Sequence, residues 1–293
     1  MIVVPHRRRP GPRALLAVVA LLAAAPPAGA RDWYVRKTGA DLVAVDLGLL
    51  GLETNLLLLG SDELPFRTLG HTASFVEPGD RVLVGPGTYW DEEIRGGNAS
   101  AAPVLWRPEA PGTATLRASA PGRRALTASN AAGHVFRGFA LEPHPDGAAS
   151  DVTAMLTNAS AITLEDCTCA GGRWGVVLHD ATAALTNYTY SGAGDGAYCF
   201  AGSELTATGC DVTVTDAVHS AFFARDSRLT LSNCTTTGGQ NGVRYESGPG
   251  ATVTDCTVAD AVFGLLLEGD AAVVERCELL RCTTGIHLPA GAG

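Results

Sequence analysis

The sequence predicts an all-β protein, a single-stranded parallel β-helix with coils of about 22 residues and a cap at its N-terminal end. Three observations predict this fold. A six-residue motif recurs six times in the second half of the chain, and a second motif follows it at a nearly constant distance. In addition, no proline occurs between Pro145 and Pro249. Because proline lacks the N–H that a strand donates to its neighbour, so long an interval without it suits stacked strands.

The first motif reads apolar, any, apolar, any, any, Cys, with Tyr replacing Cys once. The last residues of successive copies lie 21, 22, 24, 22 and 21 positions apart. Alternation with a period of two predicts a strand with one buried face, and the extra residue before the Cys predicts a bend. The copies are Ile162–Cys167, Ala183–Tyr188, Leu205–Cys210, Leu229–Cys234, Ala251–Cys256 and Ala272–Cys277.

The second motif predicts another strand of the same coil, and five of its six copies begin with Gly. Glycine at this point suits a tight turn that leads into a strand. The two motifs stay eight residues apart, except where two residues are inserted before Ser220. Two columns with one period predict coils whose like positions stack into ladders. The copies are Gly175–Leu178, Gly196–Cys199, Ser220–Phe223, Gly242–Tyr245, Gly264–Leu267 and Gly285–Leu288.

Residues 1–30 are predicted to be a signal peptide. A basic start around Arg7 precedes an apolar run over 14–25, and small residues at 28–30 precede the expected cleavage ahead of Arg31. The apolar run ends at two prolines and is shorter than the roughly 20 residues of a membrane span. We therefore expect a secreted, periplasmic or cell-surface protein with no membrane span after removal of the signal.

The mature chain is acidic, since removal of the signal leaves 17 Lys and Arg against 30 Asp and Glu. This balance excludes a general binder of nucleic acid or of anionic membranes, because phosphate groups attract positive charge. It also disfavours a polyanionic substrate, unless a metal ion or a local basic patch mediates the contact.

Five segments that precede the repeats carry a family resemblance: Trp33–Gly39, Pro65–Leu69, Glu77–Tyr89, Ala102–Pro108 and Pro111–Leu116. They resemble the opening strand and first coils of secreted right-handed parallel β-helix proteins of the pectate-lyase-like superfamily. The resemblance covers nearly all of residues 33–288 and implies a right-handed helix. It does not fix an activity, because this superfamily hosts lyases, hydrolases, epimerases and non-catalytic modules.

Three regions follow: the signal peptide, an N-terminal strand with a leucine-rich cap or insertion over 31–70, and the β-helix over 71–293. The resemblance implies a short polar loop after Gly39, whereas this chain has a leucine-rich stretch over 42–59. We expect that stretch to cap the open end of the core, and its conformation is left open. No polar cap follows Leu288, so the exposed last coil is expected to favour self-association.

Eight cysteines in an exported chain would ordinarily indicate disulfides. Five of them end copies of the first motif and therefore share one inward position. Parallel neighbours lie about 4.8 Å apart, whereas the Cβ atoms of a disulfide lie about 3.8 Å apart. We therefore predict a buried stack of free thiols, with Cys277 and Cys282 as the first pair to suspect of a disulfide.

Alternation within the second motif predicts which side chains point away from the core. In enzymes that this fold resembles, the substrate groove runs along this sheet. Aromatic rings stack on sugar faces, and Arg or carboxylate groups bind hydroxyls and uronates, so Arg244 is a candidate catalytic residue. Alternatively, loops cover the aromatic side chains as a satellite core and Arg244 forms a solvated ion pair. The predicted substrate-binding residues are His179, Tyr198, Phe200, Phe222, Glu246, Glu268 and His287.

Turn residues before this sheet supply the remaining candidates, because loops on a rigid scaffold carry most sites. His219 with Arg244 could serve β-elimination as base and neutraliser, or epimerisation as acid and base. Asp195 and Asp216 are expected on neighbouring coils, where they could share a Ca²⁺ ion through oxygen ligands. The alternative for both aspartates is turn chemistry, in which the side chain accepts from nearby backbone N–H groups.

Two functional hypotheses follow. One is a secreted β-helix that binds or processes polysaccharide along the exposed sheet, and the other is a non-catalytic cell-surface or scaffold module without an active site. Whether the protein is an enzyme is left open. For an enzyme, a lyase or epimerase is favoured over a glycoside hydrolase, because the paired-aspartate motifs that the resemblance implies for hydrolases are missing. The repeats contain no Lys, which excludes a lysine base.

Overall fold

The computed structural model describes residues 30–39, 60–62, 65–98, 101–147, 151–269 and 271–288. Within them the chain forms 27 β-strands, one short α-helix and one 3₁₀ turn at Pro145–Gly147. No helix in this part of the chain is long and apolar enough to cross a membrane. The predicted signal peptide, apart from Ala30, and the leucine-rich stretch over 42–59 lie outside the described residues and stay predictions.

The strands, numbered β1–β27 along the chain, form three parallel sheets, of which the first two are joined through the long strand β7, and each full coil contributes one strand to each sheet. Sheet 1 contains β4 (Glu92–Gly97), the first half of β7 (Leu126–Arg137), β9 (Val152–Thr157), β12 (Trp174–His179), β15 (Asp195–Phe200), β18 (Ser220–Ala224), β21 (Asn241–Tyr245), β24 (Phe263–Leu267) and β27 (Thr284–His287). Sheet 2 contains β1 (Asp32–Val35), β2 (Arg81–Val84), β5 (Val104–Pro108), the second half of β7, β10 (Ser160–Glu165), β13 (Thr182–Thr186), β16 (Glu204–Thr208), β19 (Arg228–Ser232), β22 (Gly250–Thr254) and β25 (Ala272–Glu275). Sheet 3 contains β3 (Gly87–Trp90), β6 (Ala114–Arg117), β8 (Ala140–Glu142), β11 (Thr168–Ala170), β14 (Thr189–Gly192), β17 (Asp211–Val214), β20 (Thr235–Gly238), β23 (Thr257–Ala259) and β26 (Glu278–Leu280).

The pairing registers confirm the predicted parallel β-helix. The strand of the first motif lies in sheet 2, where Leu164 pairs with Leu185 and Leu185 pairs with Ala207. The strand of the second motif lies in sheet 1, where Val176 pairs with Ala197. Like positions of successive coils are therefore neighbours, and the buried members of the ladders form one continuous hydrophobic core.

The extra residue before each motif Cys forms the predicted bend. It has left-handed backbone dihedrals, with φ of 53° at Asp166, 50° at Asn187 and 52° at Asn233. Asn and Asp tolerate this conformation better than most residues with a side chain. The Asn187 amide also donates to Asp166 Oδ1 at 3.0 Å, so the bends of neighbouring coils bond to each other.

Helix α1 (Leu69–Thr72) and an aromatic cluster lie beside the first strands. The helix begins after Thr68, whose hydroxyl accepts a backbone N–H of the first turn at 3.2 Å. Phe66 stacks on Trp33 with ring centroids 5.9 Å apart, and the Trp33 indole N–H donates to buried Asp80 at 2.7 Å. These contacts fasten β1 to the start of β2. The predicted boundary between the N-terminal region and the β-helix falls within this helix and stays a prediction.

The predicted stack of free thiols is confirmed. All eight cysteines are free, and Cys210, Cys234 and Cys256 lie nearly fully buried on consecutive coils. Burial raises the pKa of the Cys167 thiol to about 12, so this group stays protonated at neutral pH. The six buried cysteines therefore act as small apolar side chains of the core, whereas Cys277 and Cys282 are half-buried.

The suspected disulfide between Cys277 and Cys282 is wrong, since both thiols are free. Strand β26 lies between the two residues, so they occupy different bends of the last coil. Their thiols donate to different carbonyl groups, Cys277 to Val253 O at 3.4 Å and Cys282 to Val258 O at 3.7 Å.

The last described coil exposes side chains that the preceding coil buries. Ile286 is 48% exposed, whereas its partner Leu265 is fully buried. Leu288, at the next inward position, is 62% exposed. The exposed last coil agrees with the sequence pattern, and self-association through it stays a prediction.

In the unfolded protein all eight cysteines should react with a thiol reagent without prior reduction, because none is in a disulfide. In the native protein only Cys277 and Cys282, which are half-buried, should react quickly. Titration in native buffer and in guanidinium measures both sets, with a pre-reduced sample as control. A higher total after reduction would contradict the free-thiol stack.

One buried histidine links stability to pH. His134 is fully buried, its Nδ1 accepts from Trp106 Nε1 at 3.1 Å, and its Nε2 lies 3.2 Å from Gly96 O. In the neutral ring, both nitrogens therefore have a hydrogen-bond partner, with Nδ1 as acceptor and Nε2 as donor. Burial lowers the pKa of His134 below its ordinary value of 6.5, so the native ring resists a proton that the unfolded chain accepts.

As the pH falls below about 6.5 toward the lowered native pKa, the free energy of unfolding should fall by at most about 1.4 kcal/mol per pH unit from this group. Above that range both states are neutral, and the contribution is fully present. His134→Gln should remove this acid-side slope, whereas His287→Gln, at an exposed ring, should keep it. Urea unfolding across the acid range measures the slopes. A slope unchanged by His134→Gln would rule out this histidine as its source.

Candidate functional site

The outward face of sheet 1 carries most of the predicted site residues. At the middle outward position, the side chains of successive coils pair in register as one ladder. Its members are Val177, Tyr198, Phe223, Arg244, Leu266 and His287. Two residues later, the next outward position holds His179, Phe200, Arg225, Glu246 and Glu268.

The prediction that Phe222 faces outward is wrong. Phe222 is fully buried and pairs with Ala197, whereas Phe223 pairs with Tyr198 on the outer face. The error comes from the insertion in this coil, because Ala221 rather than Ser220 takes the place of the motif glycine. The neighbouring members of this column are glycines, and a Cβ at Gly242 of the next coil would collide with a methyl group of Val258 in sheet 3, so the column favours small residues.

Four half-buried rings on the outer face form a continuous group, the aromatic strip: His179, Tyr198, Phe200 and Phe223. The Tyr198 ring stacks on Phe223 with centroids 4.7 Å apart and on Phe200 with centroids 5.0 Å apart. His179 meets Phe200 edge-on at 4.8 Å. The strip crosses three coils and keeps part of each ring open to solvent.

Four charged side chains continue from the aromatic strip and are named the charged strip: Arg225, Arg244, Glu246 and Glu268. Arg244 donates to Glu246 at 2.6 Å and lies 3.3 Å from Glu268, and Arg225 donates to Glu246 at 3.1 Å. The Arg244 guanidinium also lies 4.9 Å from the Phe223 ring centroid. A guanidinium has hydrogen-bond donors and no acceptor, so Arg244 is suited to bind or neutralise an anion rather than to accept a proton.

His219 and Asp195 come together at the edge of the same sheet. His219 Nδ1 lies 3.5 Å from Asp195 Oδ2, and Asp195 Oδ1 accepts from the Ser220 N–H at 2.6 Å. The Asp195 carboxyl is buried, and this burial raises its pKa despite the neighbouring histidine. No hydrogen bond or ion pair among the described residues joins His219 to Arg244, so the two predicted catalytic residues belong to separate groups.

Asp195 and Asp216 do not fit a shared Ca²⁺ site in this arrangement. Both carboxylate oxygens of Asp195 have protein partners, and Asp216 is exposed in a turn where its Oδ1 accepts from the Val218 N–H at 3.2 Å. Across the described ranges, no three His, Cys, Asp or Glu side chains are arranged to hold a metal ion. Turn chemistry, the alternative considered for both residues, accounts for the contact of Asp216, whereas Asp195 contacts residues of the following coil.

The last predicted residue, His287, lies on the final coil with its ring 5.3 Å from Phe263. It shares the outward ladder with Arg244 but is separated from it by Leu266. Sequence analysis missed Phe223 and Arg225. An alignment that placed Ala221 in the glycine column would have found both.

A polar depression of about 420 Å³ lies farther along sheet 1, beside β4 and β7. Arg123 and Arg124 line it from the turn between β6 and β7, opposite Asp91 and Glu93. Neither arginine is ion-paired within the described part of the chain, so this turn provides local positive charge in an acidic protein.

Residues 152–293 match the family model described as a right-handed beta helix region. None of the curated protein sequences matches the chain significantly. The match and the parallel registers together establish a right-handed parallel β-helix, as the family resemblance implied.

Three solved structures share this fold. Pectate lyase Pel9A is 14% identical with a TM-score of 0.58, and the alignment covers 86% of this chain and 79% of that one. The polygalacturonase from Erwinia carotovora ssp. carotovora is 11% identical with a TM-score of 0.57, covering 87% and 79%. A rhamnogalacturonan lyase is 12% identical with a TM-score of 0.50, covering 84% and 73%. At these identities the likeness shows the fold alone.

The neighbouring phenylalanines provide a test of the register. Phe222→Ala should lower the free energy of unfolding by about 3–5 kcal/mol, because it leaves a cavity in the core. Phe223→Ala should cost about 1 kcal/mol or less, since its ring is half-buried. Denaturant unfolding of the two variants measures the difference. A larger loss for Phe223→Ala would reverse the assigned register.

Proposed function

We propose that this right-handed parallel β-helix protein is exported and binds or processes polysaccharide along the outer face of sheet 1. The observation that carries the proposal is the succession of the aromatic strip and the charged strip on consecutive coils. A stack of coils presents such groups at a regular spacing of about 4.8 Å, which suits a polymer lying across the coils.

The aromatic strip offers apolar ring surface with exposed edges. Sugar rings have apolar faces of C–H groups that pack on aromatic rings, and polar groups placed around them fix the orientation of a ligand. Glu246 and Glu268 supply acceptors for hydroxyl groups, while Arg225 and Arg244 supply donors. The net charge of the charged strip is zero, so it accommodates neutral sugars as readily as acidic ones.

Chemical processing on this face would use His219 and Arg244 in different ways. The guanidinium of Arg244 is already paired with two carboxylates, which leaves it the role of binding or neutralising negative charge. His219 is the residue suited to proton transfer, since a histidine ring is the commonest general acid or base in enzymes. This division agrees with elimination or epimerisation rather than hydrolysis by paired carboxylates.

The comparisons support a polysaccharide as the ligand. Two structures of similar fold bear the names pectate lyase and polygalacturonase, and a third is a rhamnogalacturonan lyase. Because the sequence identity to each is below 15%, the substrate of this protein has to be argued from its own side chains.

One observation favours the alternative, a non-catalytic cell-surface or scaffold module. The four rings pack on one another and the charged side chains neutralise one another, so the outer face satisfies its own interactions. In that case the strips stabilise the stack and no ligand is bound.

Binding of the mature protein to a panel of neutral and uronate-containing polysaccharides tests the proposal, with and without Ca²⁺. Tyr198→Ala and Phe223→Ala should each weaken binding about tenfold, equivalent to roughly 1.4 kcal/mol. Trp90→Ala, which removes a ring that is 47% exposed on sheet 3, is the matched control and should leave affinity unchanged.

Ultraviolet absorbance of unsaturated chain ends, followed in the same incubations, reports elimination. His219→Gln should abolish that signal while binding persists. No binding to any polymer, or binding that both aromatic variants leave intact, would favour the scaffold module.

A further inference from the structure

We propose that Asp195 is a positioning residue that holds His219 in one tautomer, with its proton on Nδ1 and with Nε2 free to accept from a ligand hydroxyl. The tautomer follows from contacts in the fold, and the ligand rests on the proposed function. The inference assigns Asp195 a partner and a role different from the metal site expected from sequence.

The tautomer follows from the chemistry of the two groups. An ionised carboxylate only accepts hydrogen bonds, and a neutral imidazole carries one proton on one of its two nitrogens. Because His219 Nδ1 faces Asp195 Oδ2 at 3.5 Å, the proton belongs on Nδ1. Nε2 then carries a lone pair, which is the form that accepts a hydrogen bond or a proton.

Asp195 is itself held in place on several sides. Its Oδ1 accepts from the Ser220 N–H at 2.6 Å, and its own backbone N–H donates to Arg173 O at 2.8 Å. Trp174, on the preceding coil, pairs in register with Asp195. A buried carboxylate with this many contacts has one orientation, which is what a positioning group requires.

The imidazole lies on the one turn of this part of the stack that is lengthened. Five residues, 215–219, join β17 to β18, whereas two residues join the corresponding strands in the coils before and after. The turn is ordered by its own contacts, since Asp216 accepts from Val218 N and the Gln240 N–H donates to His219 O at 2.7 Å. The insertion adds a histidine beside the aromatic strip without breaking the pairing of β18 with its neighbours.

Two other histidines in the chain have the opposite tautomer, which shows that the arrangement at His219 is not a general feature. His134 Nδ1 accepts from Trp106, and His144 Nδ1 accepts from the Asp146 backbone N–H at 3.2 Å. Both rings therefore carry their proton on Nε2. His144 also has an aspartate nearby, but its carboxylate lies 4.0 Å away and is 86% exposed.

The side chain of His219 is 19% exposed, so part of it reaches solvent at the edge of sheet 1. Nδ1 is turned toward the buried carboxylate, and Nε2 is the nitrogen left for a ligand. When Nε2 takes up a proton, the positive charge of the ring lies beside the negative charge of Asp195. The pair is therefore arranged to stabilise the protonated ring during proton transfer.

Nitrogen and carbon NMR of the histidine rings in the full mature protein tests the tautomer directly, with each ring assigned by single substitution. In the wild type, His219 should be protonated on Nδ1, and His134 and His144 on Nε2. In Asp195→Asn, the amide oxygen still accepts from Ser220 while the amide N–H₂ faces the ring. Nδ1 then becomes an acceptor, and the proton should move to Nε2.

Asp146→Asn is the matched control, because it changes an aspartate beside another histidine and should leave His219 unaltered. The second measurement is the affinity or turnover of the polysaccharide bound by the wild type. Asp195→Asn should lower it at least tenfold, whereas Tyr198→Ala should weaken binding without changing the tautomer.

A wild-type His219 protonated on Nε2 overturns the inference without any variant, so it stays testable even if Asp195→Asn does not fold. A tautomer that Asp195→Asn leaves unchanged also overturns it. If the tautomer is as expected but no polysaccharide binds the wild type, the proposed function fails while the positioning of His219 by Asp195 is supported.

Discussion

In-register pairing of parallel coils is the constraint on which the rest of this structure depends. Each interior strand exchanges backbone hydrogen bonds with the strands before and after it, so each side chain is placed beside its equivalents in the neighbouring coils. The same rule produces the hydrophobic core, the ladder of bends at Asp166 and Asn187, and the stack of free thiols. It also assembles the aromatic and charged strips from residues about 22 positions apart in sequence.

Most of the fold is predictable from the sequence, because in-register pairing requires equivalent residues to recur about once per coil. The recurrence of the Cys motif identifies the strands of sheet 2, and the glycine column identifies those of sheet 1. The residue before each Cys, where the motif predicts a bend, has left-handed backbone dihedrals. The site is less predictable, because one inserted turn shifts the register. Counting from Ser220 places Phe222 outside, whereas the space available in the glycine column selects Ala221 and buries Phe222.

The polar residues of the site illustrate a second limit of sequence reasoning. Alternation indicates that Arg244, Glu246 and Glu268 face outward, but only the structure reveals that they neutralise one another. Asp195 has the spacing of a turn residue, yet it is buried and contacts a histidine from an inserted turn. Such pairings depend on rotamers and loop paths, which a periodic pattern does not encode.

The stacked architecture also makes the consequence of a change depend on where it falls along the axis. Each coil contacts only its two neighbours, so cooperativity is carried by nearest-neighbour interfaces. Damage at Phe222, in an interior coil, weakens two interfaces and divides the stack into shorter segments. The same loss at Ile286, in the last described coil, affects a single interface among the described coils and leaves the others together. Among these coils, mutational tolerance should therefore form a gradient, highest toward the last one and lowest where the aromatic strip crosses the stack.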